Sequence, residues 1–282
     1  MVDLRFRAVL FDLFDTLVLF DEVKDDYPVY LDGMHEALLN HGVNVSFEVF
    51  KKTYFEVRNE IIERSRKTLE DPHFNPRISL TMQRLGFNLT EQDQIVTDMT
   101  KAFSDEFESR TRPDPNAKNV LQQLHQTYKL GLVSNFSIPE CGYELLDQFG
   151  LKQFLDAVVI SGTVNRRKPS PEIFSTALKA LGVEASETIF VGDSLSDDIQ
   201  GPQNVGMTTI LIKRRPIPED NKVKPDAIVE LLSELPKLLA VLKLLWKRIF
   251  AENNPNIKEE NAKFGQVALK KNKHFTKQFV FH

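Results

Sequence analysis

The sequence predicts a doubly wound α/β domain on a parallel sheet, with an all-helical unit inserted after the first strand. Two observations support this. From residue 116 to residue 213, short apolar runs alternate with segments of helical periodicity, which is typical of a parallel sheet covered on both faces. Residues 21–110, which follow the first apolar run, have helical periodicity alone. The helical unit therefore interrupts the sheet domain.

The chain divides into three predicted parts. Residues 1–20 and 111–240 form the sheet domain, residues 21–110 the helical insert, and residues 241–282 a basic C-terminal helix and tail. Apolar periodicity in the insert predicts four helices, near residues 24–41, 46–68, 77–86 and 91–109. Ser46 and Thr90 have the residue types of helix N-caps.

The sheet domain begins with residues 8–13 (AVLFDL), an apolar run that ends in a carboxylate and predicts a buried strand. A stretch resembling a linker, residues 112–115 (RPDP), precedes the return of strand–helix alternation. Further strands are predicted at 129–134, 156–161, 188–192 and 208–213. The intervening helices are predicted at 116–127, 139–149, 171–182 and 197–206.

The segment 235–250 is amphipathic, and the residues after it are polar and basic. Lysines and an arginine lie off its wide apolar face, which is formed by Leu235, Leu238, Leu239, Leu242, Leu245, Trp246 and Ile249. The favoured interpretation is a helix that docks this face on the sheet domain. The alternative is a tail that contacts a membrane surface or an acidic protein partner.

Bulk properties exclude several classes of protein. The 282 residues are 41% hydrophobic and 27% charged, with a net charge of -4, so nothing in the overall charge favours nucleic acid as a partner. The single cysteine, Cys141, has no intramolecular partner for a disulfide, which predicts a reducing, cytoplasmic location. No apolar run has the length expected of a signal peptide or a membrane span.

Two candidate site residues end predicted strands. Asp12 follows the first strand, where ligands bind in open α/β sheets, and an ionised aspartate there is a candidate nucleophile. Ser134 ends the second strand of the sheet domain, and Asn135 follows it. A hydroxyl and turning backbone at such a position can donate to phosphoryl oxygens. Taken alone, each position is more typical of a cap or a turn than of a functional site.

Two further segments carry charge at defined positions. Lys168 lies in the run RRKPSPEIF, whose prolines constrain the backbone ahead of a helix. In VGDSLSDDIQ, Asp193 ends a strand, and Asp197 and Asp198 begin the next helix. Carboxylates gathered at neighbouring strand ends repel one another unless a hard cation lies between them, and oxygen ligands suit Mg²⁺.

In order along the chain, FDLFDTLV, LVSNFS, RRKPSPEIF and VGDSLSDDIQGPQNVGM resemble the four motifs of the haloacid dehalogenase superfamily. The long interval between the first two motifs matches the class that has a helical cap after the first strand. The resemblance covers residues 5 to about 240 and implies a Rossmann-like core with a four-helix cap. The C-terminal tail lies outside it.

The resemblance implies a role for each matched residue. Asp12 would be the nucleophile, Ser134 and the Asn135 backbone would bind the transferred group, and Lys168 would stabilise its charge. The implied metal is Mg²⁺, with Asp198 matching the second acidic position better than Asp197. Its implied ligands are Asp12, the backbone carbonyl of Phe14, Asp193 and Asp198.

Phe14 departs from the phosphatase pattern, in which a second aspartate protonates the leaving group and then activates water. General acid–base help of this kind contributes about 10²–10⁴ in rate. Asp15 is adjacent, but neighbouring side chains leave the backbone in different directions. A substrate with an easy leaving group, or a proton from elsewhere, is therefore expected.

Three functions are compatible with these residues. We favour a Mg²⁺-dependent phosphohydrolase that acts on a small phosphorylated metabolite through an aspartyl-phosphate. A metal-independent 2-haloacid dehalogenase is the first alternative, because such enzymes carry an aromatic residue at the position of Phe14, although they lack an acidic residue equivalent to Asp193. A non-catalytic binding protein is the second alternative.

The cap offers no motif that identifies a substrate. A dehalogenase also needs a cation for the substrate carboxylate, and the candidates are the cap arginines Arg58, Arg64, Arg66, Arg77 and Arg84. Aromatic and histidine residues that can face the crevice, though packing between helices is the favoured interpretation for each, are Tyr27, Tyr30, His35 and Tyr54.

Overall fold

The computed structural model describes residues 6–21 and 27–253, with side chains described as far as residue 244. Eight strands occur in these residues. In chain order they are β1 (Ala8–Phe11), β2 (Val18–Phe20), β3 (Thr111–Pro113), β4 (Lys129–Ser134), β5 (Ala157–Ile160), β6 (Thr188–Gly192), β7 (Thr208–Ile212) and β8 (Ala227–Val229).

Six of the strands form one parallel sheet in the order β5-β4-β1-β6-β7-β8. The central strand β1 pairs with β4 on one side and β6 on the other, so that Val9 lies opposite both Leu130 and Ile189. The chain builds outward from β1 in one direction and then in the other, which is the doubly wound arrangement. The predicted fold class is confirmed.

Ten α-helices occur in the described residues. They are α1 (Val29–Asn40), α2 (Phe47–Thr68), α3 (Asn75–Arg84), α4 (Gln94–Ser109), α5 (Ala117–His125), α6 (Pro139–Gln148), α7 (Ser161–Val164), α8 (Pro171–Leu181), α9 (Gly201–Asn204) and α10 (Leu235–Asn253).

The sheet is buried on both faces, as its uninterrupted apolar strands require. Val9 and Phe11 of β1 belong to one core cluster, and Ala8 and Leu10 belong to the cluster on the opposite face. All four side chains are fully buried. Successive side chains of β1 therefore pack into two separate cores on the two faces of the sheet. This packing holds Asp12, the next residue, at the centre of the sheet edge.

Helices α1–α4 pack into a third core made of Leu31, Met34, Phe50, Tyr54 and their neighbours. Cys141 and Leu145 of α6, which belongs to the sheet domain, join the same cluster, as does Ile138 just before this helix. The cap and the sheet domain therefore share a continuous apolar contact.

Two local predictions are wrong for identifiable reasons. The first two residues of the stretch 112–115, interpreted as a linker, belong to β3, which pairs antiparallel with β2. Thr90 is not the N-cap of α4, because the helix begins three residues later with Asp93 as its N-cap. The Asp93 carboxylate instead accepts hydrogen bonds from the Thr90 backbone N–H (2.6 Å) and hydroxyl (2.8 Å).

Other boundaries differ from the prediction. Helix α1 starts at Val29, and the predicted start near residue 24 lies outside the described residues. The single helix predicted at 197–206 consists of a π-helical segment, Leu195–Gln200, followed by the short α9. Strand β8 was not predicted.

Helix α10 docks on the sheet domain, because Leu235, Leu238 and Leu239 are buried in the core cluster and Leu242 packs against it. The favoured interpretation is confirmed for these residues. The side chains of Leu245, Trp246 and Ile249, and the tail beyond residue 253, lie outside the described residues. No helix in the described part of the chain combines the length and the apolar character needed to cross a membrane.

Candidate active site

The carboxyl ends of β1, β4 and β6 meet where the strand order reverses, and this crevice is the usual ligand site of an open α/β sheet. Asp12 follows β1, Ser134 is the last residue of β4, and Asp193 follows β6. Because β1 lies between the other two strands, the topology brings these residues together from distant parts of the chain.

Lys168 lies at the centre of this group. Its Nζ donates to Asp12 Oδ1 and to Asp198 Oδ1, each at 2.6 Å. The Lys168 and Asp198 side chains are 2% and 1% exposed and that of Asp12 is 10% exposed, so the charges interact in a medium that screens little. Burial acts to lower the pKa of Lys168, but the two carboxylates overcome it and raise that pKa, so the ammonium is retained.

Asp198 is held by its own loop as well as by Lys168. Its Oδ2 accepts hydrogen bonds from the backbone N–H groups of Asp193 (3.1 Å) and Ser194 (2.9 Å). A Cβ on Gly192 would lie 2.5 Å from atoms of the Asp198 side chain. The glycine of the VGD run is therefore required for the close approach of this carboxylate.

Carboxylate oxygens of Asp12, Asp193 and Asp198 all lie within 4.8 Å of one another. Burial raises the pKa of Asp12 to about 8, against the opposing effect of Lys168. Burial, together with the charge of Asp198, raises the pKa of Asp193 to about 6. The raised pKa values reflect the cost of ionising buried carboxyl groups side by side, and a hard divalent cation, which the all-oxygen donor set fits, would offset that cost.

Asp197 does not belong to this cluster. Its carboxylate accepts a hydrogen bond from Asn135 Nδ2 at 3.1 Å. Asn135 also accepts from the Lys168 backbone N–H (2.7 Å) and donates to the Lys168 carbonyl (3.1 Å). The side chain of Asn135 thus positions the lysine loop, a contact that the sequence did not indicate.

The hydroxyl of Ser134 is buried and has no hydrogen-bond partner among the described residues. A buried polar atom without a partner is uncommon, because it loses hydration without compensation. Its place at the end of β4 makes it available to an oxygen of a bound anion.

Phe14 lies in an aromatic cluster and not among the charges. Its ring contacts those of Phe20, Phe107 and Phe136, at centroid separations of 5.4, 5.3 and 5.0 Å. Phe20 belongs to β2, Phe107 to α4 of the cap, and Phe136 to the loop after β4. Phe14, which occupies the position of the general acid in the phosphatases, therefore joins the cap to the core through ring contacts.

Arg215 is a member of the site that sequence reasoning missed. Its Nη2 lies 2.6 Å from Asp15 Oδ2 and 2.9 Å from Asp193 Oδ2. Asp15 has a left-handed backbone (φ 53°), and its carboxylate is engaged by this pair. The neighbouring Arg214 donates to the carbonyls of Asp15 (2.9 Å) and Thr16 (3.2 Å).

The available signal for Arg215 was the basic triplet Lys213-Arg214-Arg215 at the end of the predicted strand 208–213. Cations at a strand end beside clustered carboxylates are expected to pair with them. The strand order that makes β7 a neighbour of β6 is a tertiary feature, so the specific pair was not predictable.

Comparison with known proteins identifies one family. The model of the haloacid dehalogenase-like hydrolases matches residues 6–206, from the beginning of β1 to the end of the loop before β7. The matched range includes Asp12, Ser134, Lys168 and Asp193.

Individual relatives agree with this. The chain is 29% identical over 240 residues to a glyceraldehyde 3-phosphate phosphatase of Pyrococcus furiosus, covering 85% of this chain and 94% of the relative. Among solved structures, a haloacid dehalogenase-superfamily phosphatase of Thermococcus onnurineus has a TM-score of 0.58 at 26% identity, covering 83% and 97% of the two chains. A 2-haloacid dehalogenase of Pseudomonas syringae pv. tomato has a TM-score of 0.67 at 24% identity, covering 84% and 99%, and shares the fold.

Proposed function

We propose that this chain, which belongs to the haloacid dehalogenase-like hydrolase family, is a Mg²⁺-dependent phosphohydrolase that forms an aspartyl-phosphate on Asp12. The observation that carries the proposal is the buried group of Asp12, Lys168, Asp193 and Asp198 beside the unpartnered Ser134 hydroxyl. Such a group is suited to hold an anion next to a nucleophile.

Asp12 is suited to attack phosphorus. Lys168 binds its Oδ1, which orients the carboxylate and leaves the second oxygen as the nucleophile. The Asp12–phosphorus bond forms as the bond from phosphorus to the leaving oxygen breaks, and water later cleaves the acyl phosphate. Ser134 Oγ donates to a non-bridging oxygen, while the Lys168 ammonium offsets the charge that the phosphoryl group develops.

The residues that would hold Mg²⁺ are Asp12, Asp193, Asp198 and the carbonyl of Phe14. Asp198 already accepts three hydrogen bonds, so it contributes chiefly through its charge. When bound, Mg²⁺ supplies positive charge that offsets the negative charge of the transferring group. The observation in favour of this ion is the close group of three carboxylates, which Lys168 and the exposed Arg215 neutralise only in part.

The leaving group receives no proton from position 14, because a phenyl ring has none to give. Asp15 is paired with Arg215 and is not a ready substitute. Esters or anhydrides whose leaving oxygen is weakly basic are therefore the preferred substrates.

The substrate class is a small phosphorylated metabolite. Relatives that cover most of the chain are named glyceraldehyde 3-phosphate phosphatases, which supports a phosphate ester of this size.

A reducing cytoplasm remains the proposed location, since Cys141 is free and buried.

The test is hydrolysis of p-nitrophenyl phosphate, whose leaving group needs little acid help. We expect turnover with Mg²⁺, loss with EDTA, and recovery when the ion is restored. Asp12→Asn keeps the shape but removes the nucleophile, and it should lower kcat at least about 10³-fold. Turnover that is unaffected by EDTA, or that survives in Asp12→Asn, would contradict the proposal.

The second candidate is metal-independent hydrolysis of a 2-haloacid, and the aromatic cluster around Phe14 is the observation that favours it. A halide leaves without a proton and suits an apolar surround. The buried Asp193 and Asp198 oppose it, because a bound cation would weaken Asp12 as a nucleophile toward carbon. Chloride release from 2-chloropropionate in the presence of EDTA would support this candidate over the first.

The binding-protein alternative is disfavoured by family membership among hydrolases.

A further inference from the structure

The cap contains a second group of polar side chains, which we call the cap cation cluster: Tyr27, Tyr54, Arg58 and Arg77. The hydroxyls of Tyr27 and Tyr54 are hydrogen-bonded at 2.9 Å. Arg77 Nη1 donates to Tyr54 Oη at 3.4 Å, and the Arg58 guanidinium lies 4.5 Å from the centre of the Tyr27 ring. Two full positive charges therefore lie around two phenols.

Arg77 lacks the partner that a buried guanidinium normally has. Its Nε is buried without a hydrogen-bond partner, and no carboxylate oxygen of the described residues lies within 4.0 Å of its nitrogens. It also lies over the face of the Phe74 ring, at 4.8 Å, and the charge of Asp71 acts on it from beyond ion-pair distance. Weak pairing of a desolvated charge is unfavourable unless a ligand supplies the missing acceptor.

Two of the other cap arginines have carboxylate partners. Arg64 pairs with Glu70 at 3.0 Å, and Arg84 pairs with Glu60 at 2.5 Å. Arg66 is exposed, and Arg58 belongs to the cap cation cluster itself. Partial burial without a carboxylate in ion-pair contact therefore selects Arg77, with Arg58 beside it, from the five candidates that the sequence left unranked.

Arg77 also lies next to the core site. It is in the first turn of α3, and the Phe74 backbone N–H just before this helix donates to the carbonyl of Ser137 at 2.9 Å. Ser137 follows Ser134 on the same loop of the core. The helix carrying Arg77 is thus fastened to the loop that carries the proposed phosphoryl-binding hydroxyl.

Aromatic rings connect the two places. Phe74 contacts Phe103 at a centroid separation of 4.7 Å, Phe103 contacts Phe107 at 6.3 Å, and Phe107 contacts Phe14 at 5.3 Å. Continuous ring packing therefore joins the first-strand loop to the helix that carries the guanidinium, with Phe74 and Phe103 buried in the cap core.

We propose that Arg77, assisted by Arg58, binds a second anionic group, a carboxylate or a phosphate, on the leaving portion of a phosphate-ester substrate. This rests on the proposed phosphohydrolase function. The planar guanidinium has the geometry to bind carboxylate or phosphate oxygens through two parallel hydrogen bonds, one of them from the free Nε. Arg77 is then a specificity-determining residue, and it takes no part in bond breaking.

The first test uses the wild-type enzyme and matched substrates. Aryl esters are used because their leaving oxygen is weakly basic. The pair 4-carboxyphenyl phosphate and phenyl phosphate differs by one carboxylate, and the pair 1,4-phenylene bisphosphate and phenyl phosphate differs by one phosphate. We expect kcat/KM to favour the doubly anionic member of at least one pair by about 10- to 100-fold, the range that a buried charge pair contributes to binding. The pair that shows the preference identifies whether Arg77 binds a carboxylate or a phosphate.

The second test compares Arg77→Met, Arg77→Lys and the control Arg84→Met, which removes a paired arginine from the cap. The preference should disappear in Arg77→Met through a rise in KM, be reduced in Arg77→Lys, and persist in Arg84→Met. Should Arg77→Met fail to fold, Arg77→Lys, which retains the charge but not the guanidinium fork, decides the question.

Direct binding provides a readout independent of turnover. Calorimetry with Asp12→Asn should show tighter binding of the preferred compound than of its match without the second anionic group, and the difference should disappear in Asp12→Asn/Arg77→Met. Hydrolysis of p-nitrophenyl phosphate without any preference within either pair would overturn this inference and leave the proposed function standing. Absence of all phosphate hydrolysis would instead refute the proposed function.

Discussion

Two cations of the described residues, the buried Lys168 of the core and the half-buried Arg77 of the cap, have opposite surroundings. In the core, Lys168 touches two carboxylates at 2.6 Å each. In the cap, Arg77 has one phenol at 3.4 Å and an aromatic face at 4.8 Å. In the core, two protein carboxylates neutralise the cation, whereas in the cap no carboxylate of the described residues is in ion-pair contact with Arg77.

The difference indicates a division of labour. A cation held by two carboxylates keeps its place before any ligand arrives, which suits a group that must meet a transition state. A cation without such partners gains most when an anion binds, which suits selection of the substrate. The core should therefore control reaction rate and the cap should control which molecule reacts.

The largest expected effect comes from removing the core cation. Lys168→Met leaves Asp12 and Asp198 buried side by side, and loss of one partner from a buried ion pair costs about 3–5 kcal/mol. Arg77→Met, the matched change in the cap, should alter the free energy of unfolding by less than about 1 kcal/mol, because it removes a charge that was poorly paired.

Urea unfolding of both variants in EDTA measures this comparison. Equal destabilisation by the two changes would show that the charge of Arg77 is as well neutralised by its neighbours as that of Lys168, and would contradict the difference between core and cap.

Glycines in the two regions provide a second comparison. Gly192→Ala would place a Cβ 2.5 Å from the Asp198 side chain and should destabilise the protein by about 1–3 kcal/mol, as overpacking does. Gly33→Ala, in cap helix α1, would meet Ala102 at an ordinary 3.6 Å and should be neutral or stabilising by up to about 1 kcal/mol. Thermal melts of both variants measure the difference, and a tolerant Gly192 would contradict the tight packing of that loop.

Stability and Mg²⁺ affinity should depend on pH through the carboxylates of the core. Because the pKa of Asp12 is raised from 3.8 to about 8 and that of Asp193 to about 6, their ionisation destabilises the metal-free fold. This effect is absent below pH 3.8, grows as pH rises, and is complete above pH 8. Mg²⁺ binds the ionised carboxylates, so its affinity should rise at least about tenfold from pH 5.5 to pH 8.5.

Calorimetric titration of Mg²⁺ at the two pH values measures this effect. Asp193→Asn should weaken the binding, and Asp98→Asn, on the cap surface, is the control. Binding that does not change with pH would place the ion away from these carboxylates.

The smallest effect concerns Arg215, which is 64% exposed. Its guanidinium shares Asp193 with the proposed ion, so Arg215→Ala should tighten Mg²⁺ binding by about 2- to 5-fold, the size of an exposed ion pair. Lys213→Ala, which removes a charge two residues away, is the control. Weaker binding in Arg215→Ala would mean that the arginine supports the site by holding Asp15 and Asp193 together.

Much of the fold was predictable because local patterns agree with it. The run AVLF is apolar at every position, as a strand buried on both faces requires, and β1 occupies it. The prediction failed where a few residues depend on partners far away. Val18–Phe20 and Thr111–Pro113 are three residues each, and only their mutual pairing makes them strands.

The candidate site divides in the same way. The order of motifs in the sequence was enough to predict Asp12, Ser134, Lys168, Asp193 and Asp198 as candidates, because each ends a strand or begins a helix in a recognisable run. Arg215 and the side-chain role of Asn135 were missed, because both depend on which loops become neighbours when the strands take their order in the sheet.

The sequence by itself determined the fold class, the candidate nucleophile and the loss of an acid at position 14, because periodicity and motif order are properties of the linear chain. Only the tertiary structure decided that Asp198, and not Asp197, joins the carboxylate cluster, that Phe14 bridges core and cap, and that Arg77 is partly buried without a carboxylate in ion-pair contact among the described residues. These outcomes depend on distances between segments far apart in the chain, and those distances are set by the packing of three hydrophobic cores.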